Sequence, residues 1–218
     1  MSTVVLTRSD HSVSNGASTV TLTVGIVLAL WLTIVFVLGS HGAFVRPAAT
    51  PPLPIFVAVT LPIVIALAAY RSSSAFRHWV LNLDQQLAVG LQAWRFAGLG
   101  FVALTTYNVL PGVFAWPAGL GDIAIGATAP VLVLTIARNP QVVTSRLFVV
   151  WNLLGILDLV VAVGTGTLVS WLGIGADNGS IGPMAQLPLL LIPAFLVPSF
   201  VMLHIAALLQ ARHRVAAA

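Results

Sequence analysis

Of 218 residues, 59% are hydrophobic and 6% charged, where an ordinary soluble domain has roughly a quarter of its residues charged. So few polar side chains cannot cover a water-facing surface, and lipid is the expected solvent for most of the chain. The formal charge of +4 sets nine arginines against five aspartates, a shortage of acids rather than a basic patch, so no nucleic-acid partner is expected. The absence of cysteine excludes disulfides, thiolate metal sites, iron–sulfur clusters and cysteine nucleophiles. The use of arginine in place of lysine, with abundant Ala, Val and Gly, points to a bacterial source.

Residues 1–20 are polar, with Arg8, Asp10, His11 and Asn15, and are expected to form a cytoplasmic tail. The uncharged run 21–39 is long enough to cross a bilayer core of roughly 30 Å. A cleavable signal peptide is the competing reading, since Ser40 to Ala43 are small or polar, but the run exceeds the usual apolar stretch of about 7–15 residues. The Pro-rich stretch Arg46 to Pro54 cannot continue a helix and reads as an extended loop before a second span over 53–70. Over 74–90, Phe76, Trp79, Val80, Leu83 and Leu87 form one helical stripe, while Arg77, His78, Asp84, Gln85 and Gln86 avoid it. That pattern predicts an amphipathic helix lying in the membrane interface.

Further spans are expected over 93–110, 114–137, 147–168 and 187–209, with 211–218 as a second tail. The chain is thus expected to be an all-α polytopic integral membrane protein: a six-helix transmembrane domain over 21–210 plus one short interfacial amphipathic helix. Arg8, Arg71, Arg77, Arg138, Arg146, Arg212 and Arg214 all fall on one side of six crossings, with Arg46 opposing them. The positive-inside rule then predicts both termini in the cytoplasm, in the cell (inner) membrane. Trp94, Trp116 and Trp171 are expected as interfacial anchors. No repeat is visible, and Asn178 in an Asn-Gly-Ser triplet is assigned no role.

A charge inside a bilayer costs at least roughly 2.5–3.5 kcal/mol on insertion scales, so each one asks for a partner or a cavity. Arg95, Asp122, Asp158 and His204 are the candidates for a substrate- or proton-binding site. Asp158 follows Arg146 by 12 residues, about 18 Å of helix, close to the bilayer middle. Asp122 precedes Arg138 by 16 and His204 precedes Arg212 by eight, about 24 and 12 Å. These depths predict an Asp158–His204 pair, a shallow Arg95 that snorkels to the interface, and too great a vertical separation for Arg95 and Asp122 to meet. Asp158 reads as a proton- or cation-binding carboxylate, or alternatively as a hydrogen-bonding acid between helices.

Pro117, Pro130 and the glycines around Asp122 predict a kinked or interrupted fourth span, as in transporters, or else close helix packing. Gly119, Asp122 and Gly126 share one face of it, and Trp151, Gly155 and Asp158 share a face of the fifth, with Asn152 pointing elsewhere. Pro188, Pro193 and Pro198 predict an irregular sixth helix. A haem would need a second deep histidine, and His41, His78 and His213 fall outside the spans; no metal or cofactor is expected. No phosphate-binding glycine loop, metalloprotease His-Glu pair or Gly-x-Ser-x-Gly elbow occurs, so catalytic residues stay unassigned. Three readings remain open: a transporter or permease-like protein, a non-catalytic scaffold or accessory subunit, and a membrane enzyme acting on a lipid or quinone with Asp158 and His204 as acid and base. Besides the lipid bilayer, a homo-oligomer or a partner membrane subunit is open.

Overall fold

The computed structural model describes residues 9–47, 49–174 and 179–216; Arg8 and Asn178 lie outside the described residues. Among the described residues there is no strand. Among the described residues six helical stretches are long and apolar enough to cross a membrane: Ser18–Ser40, Leu53–Ser72, Gln85–Thr106, Gly112–Arg138, Arg146–Leu172 and Ile192–Ala216. The first belongs to a longer helix, α1 (Ser9–Ser40), which runs on into the stretch expected to be tail.

Local chemistry sets the helix starts. Pro52 precedes α2 (Leu53–Ser72) and Pro54 sits in its first turn, where a missing donor is tolerated. The Ser73 side chain accepts from Phe76 N to cap α3 (Ser74–Leu81). Pro111 precedes α6 (Gly112–Arg138), and the Ser145 hydroxyl accepts from Phe148 N to cap α7 (Arg146–Leu172). Gly173, at φ +64°, closes α7 in the left-handed conformation that favours glycine after a helix.

The single interfacial helix expected over 74–90 is two helices. Asn82 Nδ2 donates to His78 O at the end of α3, and Asp84 Oδ1 accepts from Gln86 N at 2.7 Å and Leu87 N at 3.3 Å, starting α4 (Gln85–Gly90). A short acceptor side chain satisfies the orphan donors of a new helix, and here that outweighs continuing the amphipathic stripe. The third long stretch therefore begins at Gln85 rather than near residue 93, and Gln85, read as a polar-face residue, is 5% exposed. Asp84→Ala is expected to lower stability by about 1 kcal/mol, with Asp84→Asn close to wild type, as measured by thermal unfolding in one detergent.

This stretch tightens to a 3₁₀ helix over Leu91–Gly98 before resuming as α5 (Leu99–Thr106). Eight residues is long for that geometry, whose runs rarely exceed about 3–4 residues. It lies against the glycine face of α6: a Cβ on Gly119 would stand 2.9 Å from Gly98 O, and one on Gly98 would stand 2.9 Å from Gly119 O. Of the alternatives expected for the fourth span, interruption is not found: α6 is one continuous helix with Pro117 and Pro130 inside it. The glycines act as close-packing residues, and the interruption sits in α4–α5 instead. The sixth stretch starts with a π turn over Ile192–Leu196, which contains Pro193, before α8 (Val197–Ala216), so the expected helix over 187–190 is a turn.

α6 packs on both α4–α5 and α7, and α8 packs on α2, α3, α4 and α7. α1 is the least enclosed of the six long helices. It is tied in at two levels, by Trp31 Nε1 donating to Ala194 O at 3.0 Å and Trp79 Nε1 donating to Thr21 Oγ1 at 2.9 Å. Trp94, Trp116 and Trp171 are all exposed.

Candidate functional site

The four charged or titratable residues singled out in the long helices meet at one point, and Arg95 is its centre. Arg95 is 2% exposed and lies in the 3₁₀ stretch, ten residues after the start at Gln85. Its Nε donates to Asp122 Oδ1 of α6 at 2.7 Å, and its Nη2 donates to Asp158 Oδ2 of α7. Its Nη1 donates to Gly155 O of α7 at 3.2 Å and lies 3.1 Å from His204 Nε2 of α8. One guanidinium thus ties four of the six long stretches together through the planar fork that distinguishes arginine from lysine.

The pairing of Arg95 with Asp122 corrects the expectation that they are vertically too far apart. Depth counted from a helix start near residue 93 put Arg95 at an end; with the start at Gln85, set by the Asp84 cap, it is deep in the bundle. The expected direct Asp158–His204 pair is also revised, because each bonds Arg95 and they meet through it. Arginine carries donors only, so His204 Nε2 accepts and the ring proton resides on Nδ1, which donates to Asn152 Oδ1 at 2.9 Å. Asn152 Nδ2 donates in turn to Phe148 O at 2.9 Å. Asn152 therefore belongs to the cluster, orienting the imidazole as a second layer, rather than pointing elsewhere.

Small residues give the cluster its room. A Cβ on Gly121 would fall on the Asp158 carboxylate, and one on Gly155 would fall on the His204 ring. Trp151 packs against that ring edge-on with centroids 5.4 Å apart, while its Nε1 donates to Thr128 Oγ1 at 2.9 Å. The Trp151, Gly155, Asp158 face of α7 is thus the face that builds the site. The roles of the Gly155 carbonyl and of Gly121 are not legible in the sequence, which carries no signal for a main-chain acceptor or for a glycine that leaves room for a side chain of another helix.

Each carboxylate gives Arg95 one oxygen, and among the described residues neither second oxygen accepts a protein hydrogen bond. The side chains of Asp122 and Asp158 are 14% and 12% exposed. Asp122 lines a cavity of about 120 Å³ whose walls are mainly apolar, among them Phe101, Phe114, Leu159 and Ile192, and whose lining also includes Arg46 and Gln186. Among the described residues no group of three or more metal-ligating side chains is disposed to hold a metal, and the guanidinium occupies the centre of the cluster where a cation would otherwise sit.

Residues 52–212 match a family model described as a domain of unknown function, DUF8737. The chain belongs to this family. The DUF8737 span takes in Arg95, Asp122, Asn152, Gly155, Asp158 and His204, while α1 precedes it. No curated protein and no solved structure matches the chain.

Proposed function

We propose that the protein is a small multi-pass membrane protein of transporter or permease type, whose solute or coupling proton binds at the Arg95 cluster through the Asp122 cavity. The observation that carries this reading is that Asp122 both bonds the buried Arg95 and lines the cavity. Neutralising one guanidinium takes one carboxylate, and here there are two, Asp122 and Asp158. A buried charge without a partner is costly, so the surplus carboxylate is matched by a proton or by a cationic group arriving through the cavity.

The chemistry of the walls narrows the solute. Arg95 is enclosed, so the charged cluster group on the cavity side is the Asp122 carboxylate, surrounded by apolar side chains. Arg46 lines the same cavity, so a compact molecule with an apolar body and one ammonium group fits at the Asp122 end, with any acidic group it carries directed at Arg46. The ends bearing Arg71, Arg77, Arg138, Arg146, Arg212 and Arg214 support placing both termini in the cytoplasm of a bacterial inner membrane.

Protein in lipid nanodiscs is expected to bind benzylamine saturably, with benzyl alcohol at least tenfold weaker, and Asp122→Asn is expected to erase that preference. Calorimetry or thermal shift checks this. Equal binding of amine and alcohol, or unchanged amine binding by Asp122→Asn, would refute the reading. The way Arg95 fastens four helical stretches favours a scaffold as the second reading, and that outcome is what a folded protein with no amine preference would indicate.

A further inference from the structure

Gln85, Ala88, Gln92 and Arg95 follow one another at steps of three and four along the third long stretch, hence along one face, and all four are buried. Facing them, α8 contributes Gln210 and His204, also buried. Gln210 Nε2 donates to Val80 O and Leu83 O, both at 2.8 Å, and Gln92 Nε2 donates to Phe200 O at 3.3 Å. These bonds hold the amides in place without satisfying them. Gln85 Oε1 and Nε2, Gln92 Oε1 and Gln210 Oε1 are all buried without a protein partner.

Four unpaired polar atoms on two facing elements need a physical reason, because buried polar groups are almost always hydrogen-bonded. Leucine or methionine would fill such positions without an unmet donor or acceptor. Water fits the pattern, since a buried water typically makes two to four bonds to such groups. The column also has a source: Gln85 lines a recess of about 240 Å³ with Asn82, Asp84, Gln86 and Arg214, at the arginine-rich end of the bundle. At its other end stand Arg95 and His204, which touch each other.

We infer that the glutamine column facing α8 is a path along which water enters from the arginine-rich face toward the Arg95–His204 cluster as the unpaired amides swing aside, opposite in sense to the Asp122 cavity. This inference goes beyond the proposed solute site and does not depend on which solute, if any, the cavity takes.

The lack of native cysteine makes the test direct. Gln85→Cys, Ala88→Cys, Gln92→Cys and Ala129→Cys are made singly, placed in lipid nanodiscs and exposed to Ag⁺ in chloride-free buffer, and the remaining thiol is titrated. Ala129 is 0% exposed in an apolar cluster and reports a dry interior. The expected rates fall in the order 85, 88, 92, with Gln92→Cys still at least tenfold faster than Ala129→Cys. A Gln92→Cys rate equal to that of Ala129→Cys, or faster than that of Gln85→Cys, would overturn the path. If Gln92→Cys does not fold, the milder Ala88→Cys decides by the same comparison with Ala129→Cys.

Discussion

Arg95→Leu is expected to lower stability by about 3–5 kcal/mol, the usual cost of breaking a buried ion pair by removing one partner. Two carboxylates on adjacent helices then face each other with no cation between them, and His204 Nε2 and Gly155 O lose their donor. Adding Asp122→Asn and Asp158→Asn to Arg95→Leu is expected to recover much of the loss, because the triple variant has no unmatched charge. The single variants Asp122→Asn and Asp158→Asn are expected to be mild, since either remaining carboxylate still matches the guanidinium. Their combination is expected to cost more than the sum of the two by at least about 1 kcal/mol, within the range of coupling for groups that share a network. Thermal or denaturant unfolding in one detergent checks the whole set. A triple variant no more stable than Arg95→Leu would show that shape, rather than charge balance, sets the energetics of the cluster.

Gly126→Ala has the second-largest expected effect, a loss at the upper end of the roughly 1–3 kcal/mol typical of overpacking. The added Cβ would run into Phe96 N and into Arg95 C at 2.8 Å. Both are main-chain atoms, so no side-chain rotation relieves the clash and the 3₁₀ stretch must move off α6. That movement carries Arg95 with it, so the variant is also expected to lose the amine preference that depends on Asp122. Gly100→Ala is the matched control: a Cβ there meets nothing within 4 Å, and in α5 alanine is favoured over glycine by about 0.5–1 kcal/mol. A Gly126→Ala protein as stable as Gly100→Ala would mean that the two backbones are not in contact.

The contrast between these two glycines shows where sequence reasoning stops. Both lie in apolar helical sequence, and hydropathy treats them alike; what separates them is whether another backbone passes beside them. The same holds for the three glutamines at 85, 92 and 210. Gln85 falls off the apolar stripe of 74–90 and so reads as solvent-facing, because a stripe identifies an apolar face but not whether a neighbouring helix covers the polar one. The Asp84 cap is legible in the sequence as a short acceptor two residues after Asn82, but the apolar stripe runs through it and so predicts continuity, which places Arg95 at a helix end.

Length, apolarity and the spacing of arginines are properties of the chain one segment at a time, and from them came six helices able to cross a membrane and the short list of Arg95, Asp122, Asp158 and His204. The physical reason is that a bilayer-sized apolar run and an isolated charge within it are each costly to place anywhere else. Which of those charges touch is a matter of how helices sit side by side. Apolar faces look the same whether lipid or protein covers them, so hydropathy carries no lateral address. The close approach of the Leu91–Gly98 stretch to α6, the turn of α7 that aims Gly155 O and Asp158 inward, and the seating of His204 on Asn152 were settled by packing across residues 27 to 109 positions apart in sequence from Arg95 or 52 from each other. It is that packing which makes four scattered polar residues into one site.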